Sequence, residues 1–317
     1  MAIPDTNEIR IETSTACNAR CVFCSWPTDD FTRPKTIMPM DVYKFYIDKA
    51  ISELGEKLKE TTVSGFGEAF IDKTIVDKIR YASEAGLGVH ILTNGSMLSK
   101  EMVDEIYDIG VLDLRFSLHT VNPDHYDKIM NYSNKNYDLD KVMETVNYSI
   151  DTKPSNTDVI ITADIVDINK NDVKDMINVF DDRCFLEIWG PHNWVYGKEY
   201  RSRSAPNTYD TCGRPFNGPI QLQIAGDIIM CCFDFNNQMV LGNFKDQTLA
   251  EIYEGELYNK IIKHHSAGTC RESNLICNGC DQLQDKKDIV IYNNRRQKEG
   301  FEQVTTSLRR LDSIKEG

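Results

Sequence analysis

The sequence predicts an α/β protein, a partial (β/α)6 TIM-like barrel followed by a small C-terminal α+β module. Over roughly the first 200 residues, six β-rich segments alternate with amphipathic segments, as in a parallel sheet covered by helices. Near residue 205 the chain becomes rich in Pro, Gly, Asn and Ser, which is typical of a linker or loop. A full eight-unit barrel would need more chain than this repeating part provides, so a partial, open barrel fits its length.

The six predicted units follow one another in order. Strands are expected where apolar and β-branched residues cluster, at 8–14, 61–67, 88–95, 111–119, 157–167 and 184–190. Helices are expected where apolar residues recur at helical spacing, at 41–57, 72–86, 99–110, 138–151 and 171–182. Gly86 and Gly110 follow the second and third helix, where glycine commonly ends a helix.

Beyond residue 205 the predicted elements are shorter. The segment IQLQIAGDIIMCCF predicts a hairpin, residues 248–264 predict a helix, and the charged tail predicts one more helix. We therefore predict three regions, a barrel at 1–205, a small module at 206–290 and a helical tail at 291–317.

Charge and hydropathy exclude some classes of function. The net charge is −13, and a duplex-binding protein needs a basic stripe, so we expect no nucleic-acid partner. No run of 18 apolar residues predicts a membrane-spanning helix, and the N-terminus lacks a signal-peptide pattern. We expect a cytoplasmic protein, in which clustered cysteines bind metal or act in catalysis more often than they form disulfides.

Three cysteines follow the first predicted strand in the segment CNARCVFCSWP. Cys17, Cys21 and Cys24 have the spacing C-x3-C-x2-C. Thiolates are the usual ligands of iron–sulfur clusters, and three of them on a [4Fe–4S] cluster leave one iron open. A zinc site is the alternative. Because strand ends share one rim in such barrels, we expect this loop near GFGEAF, TNG and SLH, which end the next three strands.

The cysteine triplet and its surroundings resemble the radical S-adenosylmethionine (SAM) superfamily. This resemblance implies that SAM chelates the open iron of the cluster. It further implies that the reduced cluster cleaves SAM to a 5′-deoxyadenosyl radical, which abstracts hydrogen from a C–H bond of the substrate. An external electron donor of the flavodoxin or ferredoxin type is implied as the source of the electron.

The same resemblance suggests residues that bind SAM. Phe23, before the last cysteine, matches an aromatic residue that packs near the adenine in this family. The segment SGFGEAF resembles the family's glycine–glutamate motif, in which Gly65 and Gly67 would let the backbone approach the methionyl group. Glu68 would accept a hydrogen bond from the ammonium group of that methionyl moiety.

Two further SAM-binding candidates stand at strand ends. Ser117 matches a family position that contacts the ribose or carboxylate of SAM, although a serine on a strand also has purely structural roles. Asn94, in TNG, is either a cofactor contact or a turn residue. Arg115, two residues before Ser117, is a candidate to pair with a carboxylate of SAM or substrate.

A second group of cysteines lies after residue 205. Cys212, Cys231, Cys277 and Cys280 form the pattern C-x13-G-x4-C followed by C-x2-C. This pattern resembles the auxiliary-cluster domain of radical SAM enzymes called SPASM, and more closely its shorter form, twitch. The resemblance implies one auxiliary [4Fe–4S] cluster closed by four thiolates, with Cys270 as an alternative ligand and zinc as an alternative metal.

Cys232, next to Cys231, is a candidate catalytic residue. Adjacent residues on a strand point to opposite sides, so a cluster-facing Cys231 would turn Cys232 toward the barrel mouth. There it would give a hydrogen atom to a substrate radical; the alternative is a packed core cysteine. The loop after strand six is expected to contact substrate through His192, Trp194 and Tyr196, and His119 is another candidate.

These features lead to one main functional prediction. We expect a radical SAM enzyme that dehydrogenates a carbohydrate-like small molecule or a peptide with the help of the auxiliary cluster, as the twitch dehydrogenases of aminocyclitol biosynthesis do. The alternatives are an epimerase that uses Cys232 as hydrogen-atom donor, and a peptide-crosslinking enzyme. A zinc-bound scaffold or an electron-transfer protein is the non-enzyme alternative.

Overall fold

The computed structural model describes residues 3–134, 136–192, 209–283 and 290–295. The chain divides into two compact units. Unit 1 comprises Met1–Cys17, Asp29–Val89 and Asn193–Asp285, and unit 2 comprises Asn18–Thr28, His90–His192 and Lys286–Gly317.

Strands and helices alternate from the N-terminus to β6. The strands are β1 (Glu8–Glu12), β2 (Glu60–Ser64), β3 (Gly88–Thr93), β4 (Asp113–Ser117), β5 (Asp158–Asp164), β6 (Phe185–Trp189), β7 (Ile220–Leu222), β8 (Asp227–Ile229), β9 (Val240–Asn243) and β10 (Val290–Asn293). The α-helices are α1 (Met40–Leu54), α2 (Ile75–Glu84), α3 (Lys100–Ile109), α4 (Pro123–Met130), α5 (Leu139–Thr152), α6 (Val173–Phe180), α7 (Arg214–Asn217), α8 (Leu249–Glu254) and α9 (Glu256–Ala267).

Unit 1 is built on the strand order β2-β1-β7-β8-β9. Strand β1 pairs in parallel with β2 on one side and β7 on the other, so that Ile9 lies opposite both Thr61 and Ile220. Strands β8 and β9 continue the sheet in antiparallel pairing. Because Ile9 and Ile11 are fully buried while Glu8 and Arg10 are half-exposed, one face of β1 packs into the core and the other carries polar side chains.

Unit 2 contains β4, β5, β6, β10 and most of β3. Its pairing is parallel from β3 to β6, and β10 closes the edge in antiparallel pairing with β6. Leu114 and Phe116 of β4 are fully buried, and the Phe116 ring lies with Val142 of α5 around Gly95. The alternate residues Arg115 and Ser117 therefore occupy the opposite face of the strand.

The structure agrees with most predicted elements and corrects three. Helix α4 lies in a stretch where no helix was predicted. The helix predicted at 248–264 is two helices, because the chain leaves helical geometry at Gly255. The tail does not begin as a helix, because Val290–Asn293 bonds to β6 as a strand; residues 296–317 and the predicted boundary near 205 lie outside the described residues. No described helix is long and apolar enough to cross a membrane.

Candidate functional site

The glycine motif after β2 is packed directly against the chain that follows β1. The backbone N–H of Gly67 donates to the Ser14 carbonyl at 3.1 Å, and that of Glu68 to the Ala16 carbonyl at 2.8 Å. A Cβ atom on Gly65 would lie 2.3 Å from the Ser14 oxygen, and one on Gly67 would lie 2.1 Å from the Ala16 oxygen. Glycine is therefore required at both positions by the protein's own backbone, and the approach to SAM stays a prediction.

Glu68 is buried at the end of this motif. Its carboxylate accepts a hydrogen bond from the backbone N–H of Phe70 at 3.0 Å and caps the short 3-10 turn Ala69–Ile71. The cap fixes the direction of the side chain, which a residue that recognises an ammonium group requires. The contact with SAM itself stays a prediction.

The cysteine triplet is divided between the units, with Cys17 in unit 1 and the other two cysteines in unit 2. In unit 2, the end of α4 holds the loop, because Arg20 N donates to the Met130 carbonyl at 2.8 Å. The Cys21 Sγ lies 3.7 Å from the Met130 Sδ. Burial raises the pKa of the Cys24 thiol to about 11, although the Trp26 N–H points at its sulfur from 3.4 Å. Such a thiol becomes a thiolate most readily when a metal binds it.

Phe23 packs against His119 at the end of β4. The two ring centroids are 4.6 Å apart in an edge-on arrangement, within unit 2. His119 is only 4% exposed, and its Nδ1 accepts a hydrogen bond from the Asp164 N–H at 2.9 Å, so the ring proton sits on Nε2. Burial lowers the pKa of His119 to about 3 and keeps this ring neutral.

Asn94 acts as a turn residue. Its Oδ1 accepts hydrogen bonds from the Ser96 N–H at 3.0 Å and the Ser96 hydroxyl at 2.6 Å. These bonds close a turn that contains Gly95. Its Nδ2 donates to the Asn18 Oδ1 at 3.0 Å. Asn94 therefore ties the end of β3 to the cysteine loop of unit 2, and a direct SAM contact stays a prediction.

Ser117 and Arg115 lie on the polar face of β4. Ser117 stands directly opposite Thr162 of β5, which in turn stands opposite Glu187 of β6. The Arg115 guanidinium lies 3.7 Å from the Glu187 carboxylate, so its charge is already balanced within the sheet. This pairing weighs against Arg115 as the partner of a SAM or substrate carboxylate.

The four predicted auxiliary ligands meet in unit 1. Cys212, Cys231, Cys277 and Cys280 line one cavity, together with Arg214 and mainly apolar side chains. Burial is the main cause that raises the pKa of the Cys280 thiol, to about 12. Burial also raises the pKa of the Cys277 thiol, and the nearby Cys280 and Cys212 raise it further.

Four thiols around one mainly apolar cavity fit a [4Fe–4S] cluster, which binds one thiolate on each iron. Within the described part of the chain, no three His, Cys, Asp or Glu side chains are grouped as ligands of a single metal ion. Cys270 is buried, and its Sγ lies 3.7 Å from the Asp210 carbonyl oxygen.

Cys232 does not have the geometry that its proposed hydrogen-donor role assumed. The strand β8 ends at Ile229, and both Cys231 and Cys232 lie in the turn that follows, so the alternation of strand side chains does not separate them. The Cys232 sulfur accepts a hydrogen bond from Arg214 Nη1 at 3.1 Å. Cys231 and Cys232 also contact each other, which raises the pKa of Cys231.

Comparison with known families decides the identity. The model of the radical SAM superfamily matches residues 11–180, and that of SPASM, an iron–sulfur cluster-binding domain, matches residues 212–281. The chain belongs to the radical SAM superfamily. The cofactors of this radical SAM enzyme are therefore SAM, a [4Fe–4S] cluster and auxiliary iron–sulfur binding, as predicted.

Relatives of this radical SAM enzyme differ in their reactions. A GTP 3′,8-cyclase of Rhizobium leguminosarum bv. trifolii is 32% identical over 143 residues, which is 44% of this chain and 38% of that protein. A PqqA peptide cyclase of Bradyrhizobium diazoefficiens is 28% identical over 127 residues, 40% of this chain and 32% of that protein. The chain thus spans less than two fifths of the length of these curated relatives.

Solved structures confirm the predicted fold class of this radical SAM enzyme. BtrN in complex with AdoMet and 2-DOIA has a TM-score of 0.59 at 16% identity, over 90% of this chain and 98% of that one. Streptococcus suis SuiB bound to its precursor peptide SuiA has a TM-score of 0.64 at 15% identity, over 88% of this chain and 70% of that one. At these identities the likeness concerns the fold: a partial barrel with an auxiliary module.

Sequence reasoning missed two residues beside the cysteines. Arg214 stands two positions after Cys212, and that spacing was the available signal. Met130 gave no signal, because its contact depends on where α4 ends. Of the predicted mouth residues, His192 is half-buried, whereas Trp194 and Tyr196 lie outside the described residues.

Proposed function

We propose that this radical SAM enzyme dehydrogenates a C–H bond next to a hydroxyl or amino group, with an auxiliary [4Fe–4S] cluster as the electron acceptor. The substrate class is a carbohydrate-like small molecule or a peptide. When bound, SAM and its cluster supply the hydrogen-abstracting radical, and the auxiliary cluster supplies a one-electron acceptor. For an alcohol, the carbon loses one hydrogen atom to the 5′-deoxyadenosyl radical, the hydroxyl loses one proton, and one electron passes to the auxiliary cluster, which leaves a ketone.

The half-buried cation beside the auxiliary thiols carries this proposal. Arg214 lines the same cavity as the four proposed ligands, and its Cζ lies 5.4 Å from the Phe233 ring centroid. The nearby Cys232, followed by Cys231 and Cys212, raises the pKa of the guanidinium. A fixed positive charge and hydrogen-bond donor next to a cluster favour its reduced form, as an electron acceptor requires.

The remaining residues would bind SAM and its cluster. Cys17, Cys21 and Cys24 would be the three thiolate ligands, and Phe23 would pack near the adenine with its ring held by His119. Gly65, Gly67 and Glu68 would form the methionyl side of the site, and Ser117 and Asn94 its far side. An external electron donor would reduce this cluster before each turnover.

A peptide substrate is the second candidate. Among the similar proteins, the PqqA peptide cyclase is named for a peptide, and SuiB was solved with its precursor peptide SuiA. Epimerisation through Cys232 has less support, because a sulfur that accepts a hydrogen bond from Arg214 is poorly placed to give up a hydrogen atom.

A reaction in deuterated water distinguishes these candidates. Aminocyclitols, sugars and short peptides are incubated with the reconstituted enzyme, SAM and a reductant, and products are analysed by mass spectrometry. We expect a ketone or equivalent oxidised product without solvent deuterium, similar turnover in Cys232→Ala, and a loss of turnover in Cys277→Ala of at least about a hundredfold, the scale of a lost electron acceptor or positioned group.

The opposite pattern would contradict dehydrogenation. Solvent deuterium in a product of unchanged oxidation state, together with stalled turnover in Cys232→Ala, would establish epimerisation in its place. The two variants remove the same thiol group from two positions of one module, so each serves as the control for the other.

A further inference from the structure

One buried guanidinium in unit 1 contacts three separate segments of the chain. Arg33 forms a bidentate salt bridge with the Glu12 carboxylate, with N···O distances of 2.6 Å from Nη1 and 2.7 Å from Nη2. Its Nε donates to the Phe235 carbonyl oxygen at 2.7 Å, and Nη1 also donates to the Gln223 side chain. The Arg33 side chain is 12% exposed and the Glu12 side chain 4%, so this pair is shielded from water.

These contacts connect two loops that the proposed function assigns to different cofactors, one of them through Glu12. Glu12 ends β1, and its Oε1 also accepts a hydrogen bond from the Phe66 N–H at 3.2 Å. Phe66 is the middle residue of the glycine motif that would bind SAM. Phe235 lies in the auxiliary-cluster loop, defined as residues 231–239, which begins at Cys231. The guanidinium therefore connects the backbone of both cofactor loops through one carboxylate.

An aromatic cluster joins the glycine motif and the auxiliary-cluster loop a second time. The Phe31 and Phe66 rings stack with centroids 5.4 Å apart, and Phe235 lies 5.7 Å from Phe66 and 6.5 Å from Phe31. The Arg33 guanidinium carbon lies 5.3 Å from the Phe31 ring centroid. Polar and apolar contacts thus hold the same loops, which restricts how far one can move without the other.

These contacts differ from an ordinary structural ion pair. The bonds at both ends reach backbone atoms, the Phe66 N–H through Glu12 and the Phe235 carbonyl directly, so they set the positions of the loops themselves. A guanidinium is planar and rigid, and a shift of the carboxylate on one edge displaces the donor on the other. Buried contacts of this kind are a physical route for coupling between two sites.

We propose that Arg33 is a positioning residue that couples SAM binding at the glycine motif to the auxiliary-cluster loop. SAM that engages residues 64–68 would hold Phe66 and Glu12 in place, and Arg33 would transmit that restraint to Phe235. The auxiliary-cluster loop is then most ordered when the radical source is present. The inference rests on the proposed function, because it assumes SAM at the glycine motif.

Hydrogen–deuterium exchange on the anaerobically reconstituted enzyme tests this coupling, with SAM as the probe. In the wild type, we expect SAM to slow amide exchange in residues 64–68 and in the auxiliary-cluster loop, by at least about fivefold in the loop, the lower end of ordinary coupling between sites. Arg33→Lys keeps a positive charge but cannot maintain the bonds to Glu12 and Phe235 together. We expect this variant to keep the slowing at 64–68 and to lose it in the loop.

Arg10→Lys is the matched control. Arg10 forms a two-pronged pair with Glu8 on the same strand, at 2.7 and 3.3 Å, and reaches neither cofactor loop through it. We expect SAM to slow exchange in both segments of this variant, as in the wild type. A purely structural role for Arg33 would raise exchange in the loop equally with and without SAM.

Each result decides a different point. Slowing at 64–68 without slowing in the wild-type loop would overturn the coupling and leave the proposed SAM site intact. If SAM does not slow amide exchange at 64–68, both the coupling and the proposed SAM site are overturned. If Arg33→Lys fails to load its clusters, Glu12→Gln is used, because it breaks the same charge pair and keeps the side-chain shape. If SAM still slows amide exchange in the auxiliary-cluster loop of either folded variant, the coupling is overturned.

Discussion

At the scale of single residues, the atoms that accept a hydrogen bond decide which chemistry a side chain can perform. His119 illustrates this, because its Nδ1 accepts from the Asp164 N–H and its ring is buried against Phe23. The ring therefore stays neutral with its proton on Nε2. Asp164 ends β5, and burial raises the pKa of its carboxyl to about 7, so this strand end offers one neutral ring and one readily protonated acid.

The neutral state of His119 predicts a pH dependence of stability. Its folded pKa of about 3 lies below the usual 6.5, so the unfolded chain binds a proton that the folded chain does not as the pH falls below about 6.5. Relative to His119→Asn, whose Oδ1 can still accept from Asp164 N–H, the wild type should lose about 1.4 kcal/mol between about pH 7.5 and about pH 5.5. Urea unfolding at both pH values measures this, and equal losses in the two proteins would contradict it.

At the scale of secondary-structure elements, two elements that were not predicted support the site. Helix α4 holds the cysteine loop of unit 2 through the Met130 carbonyl, and strand β10 covers the edge of β6. Asn294, directly after β10, is 1% exposed. Its Oδ1 accepts from the Leu186 N–H at 2.7 Å, and its Nδ2 donates to the Cys184 carbonyl at 3.0 Å.

This asparagine should be a large contributor to the stability of unit 2. Asn294→Ala would leave the buried Leu186 N–H without its acceptor, which costs about 2 kcal/mol or more in the free energy of unfolding. Asn259→Ala is the control, because its side chain only donates to two carbonyls at the half-buried junction of α8 and α9, and we expect less than about 1 kcal/mol there. Denaturant unfolding measures the free energy of unfolding of both variants. Equal losses in the two would contradict a larger contribution of Asn294 to stability.

At the scale of the whole molecule, we propose that two sets of thiols hold two clusters. The triplet Cys17, Cys21 and Cys24 would leave one iron open for SAM, whereas the four thiols of unit 1 around Arg214 would leave none open. Cys184, which is buried with its Sγ 3.7 Å from the Phe180 carbonyl oxygen, belongs to neither set and packs as a small apolar side chain.

Iron content should follow this division. Reconstituted wild-type protein should bind about eight irons, and each of the variants Cys17→Ala/Cys21→Ala/Cys24→Ala and Cys277→Ala/Cys280→Ala should bind about four. Cys184→Ala, the control, should bind as many irons as the wild type. Iron and sulfide assays with optical spectra measure this, and a wild type with about four irons would contradict the auxiliary cluster.

Much of the fold and part of the site could be predicted from the sequence. The alternation of strands and helices was confirmed through β6, because hydrophobic periodicity is a local signal. Helix α4 was missed, since its eight residues give a short pattern, and its Asn122 cap and Pro123 resemble a turn. The strand premise for Cys232 was wrong, because β8 ends at Ile229 and the chain turns there; the hydrogen-donor role of Cys232 stays a prediction.

The sequence by itself determined the family, the cofactors and the two sets of cysteines, because ligand type and spacing are written in adjacent residues. Only the tertiary structure decided that Arg214 lies at the auxiliary thiols and that Arg33 joins Glu12 to Phe235. The Arg33 contact with Phe235 links residues about two hundred positions apart, and a charge buried there is tolerated only because folding also brings its partners to it. Local pattern can predict such side chains as polar, but not which buried partner completes them.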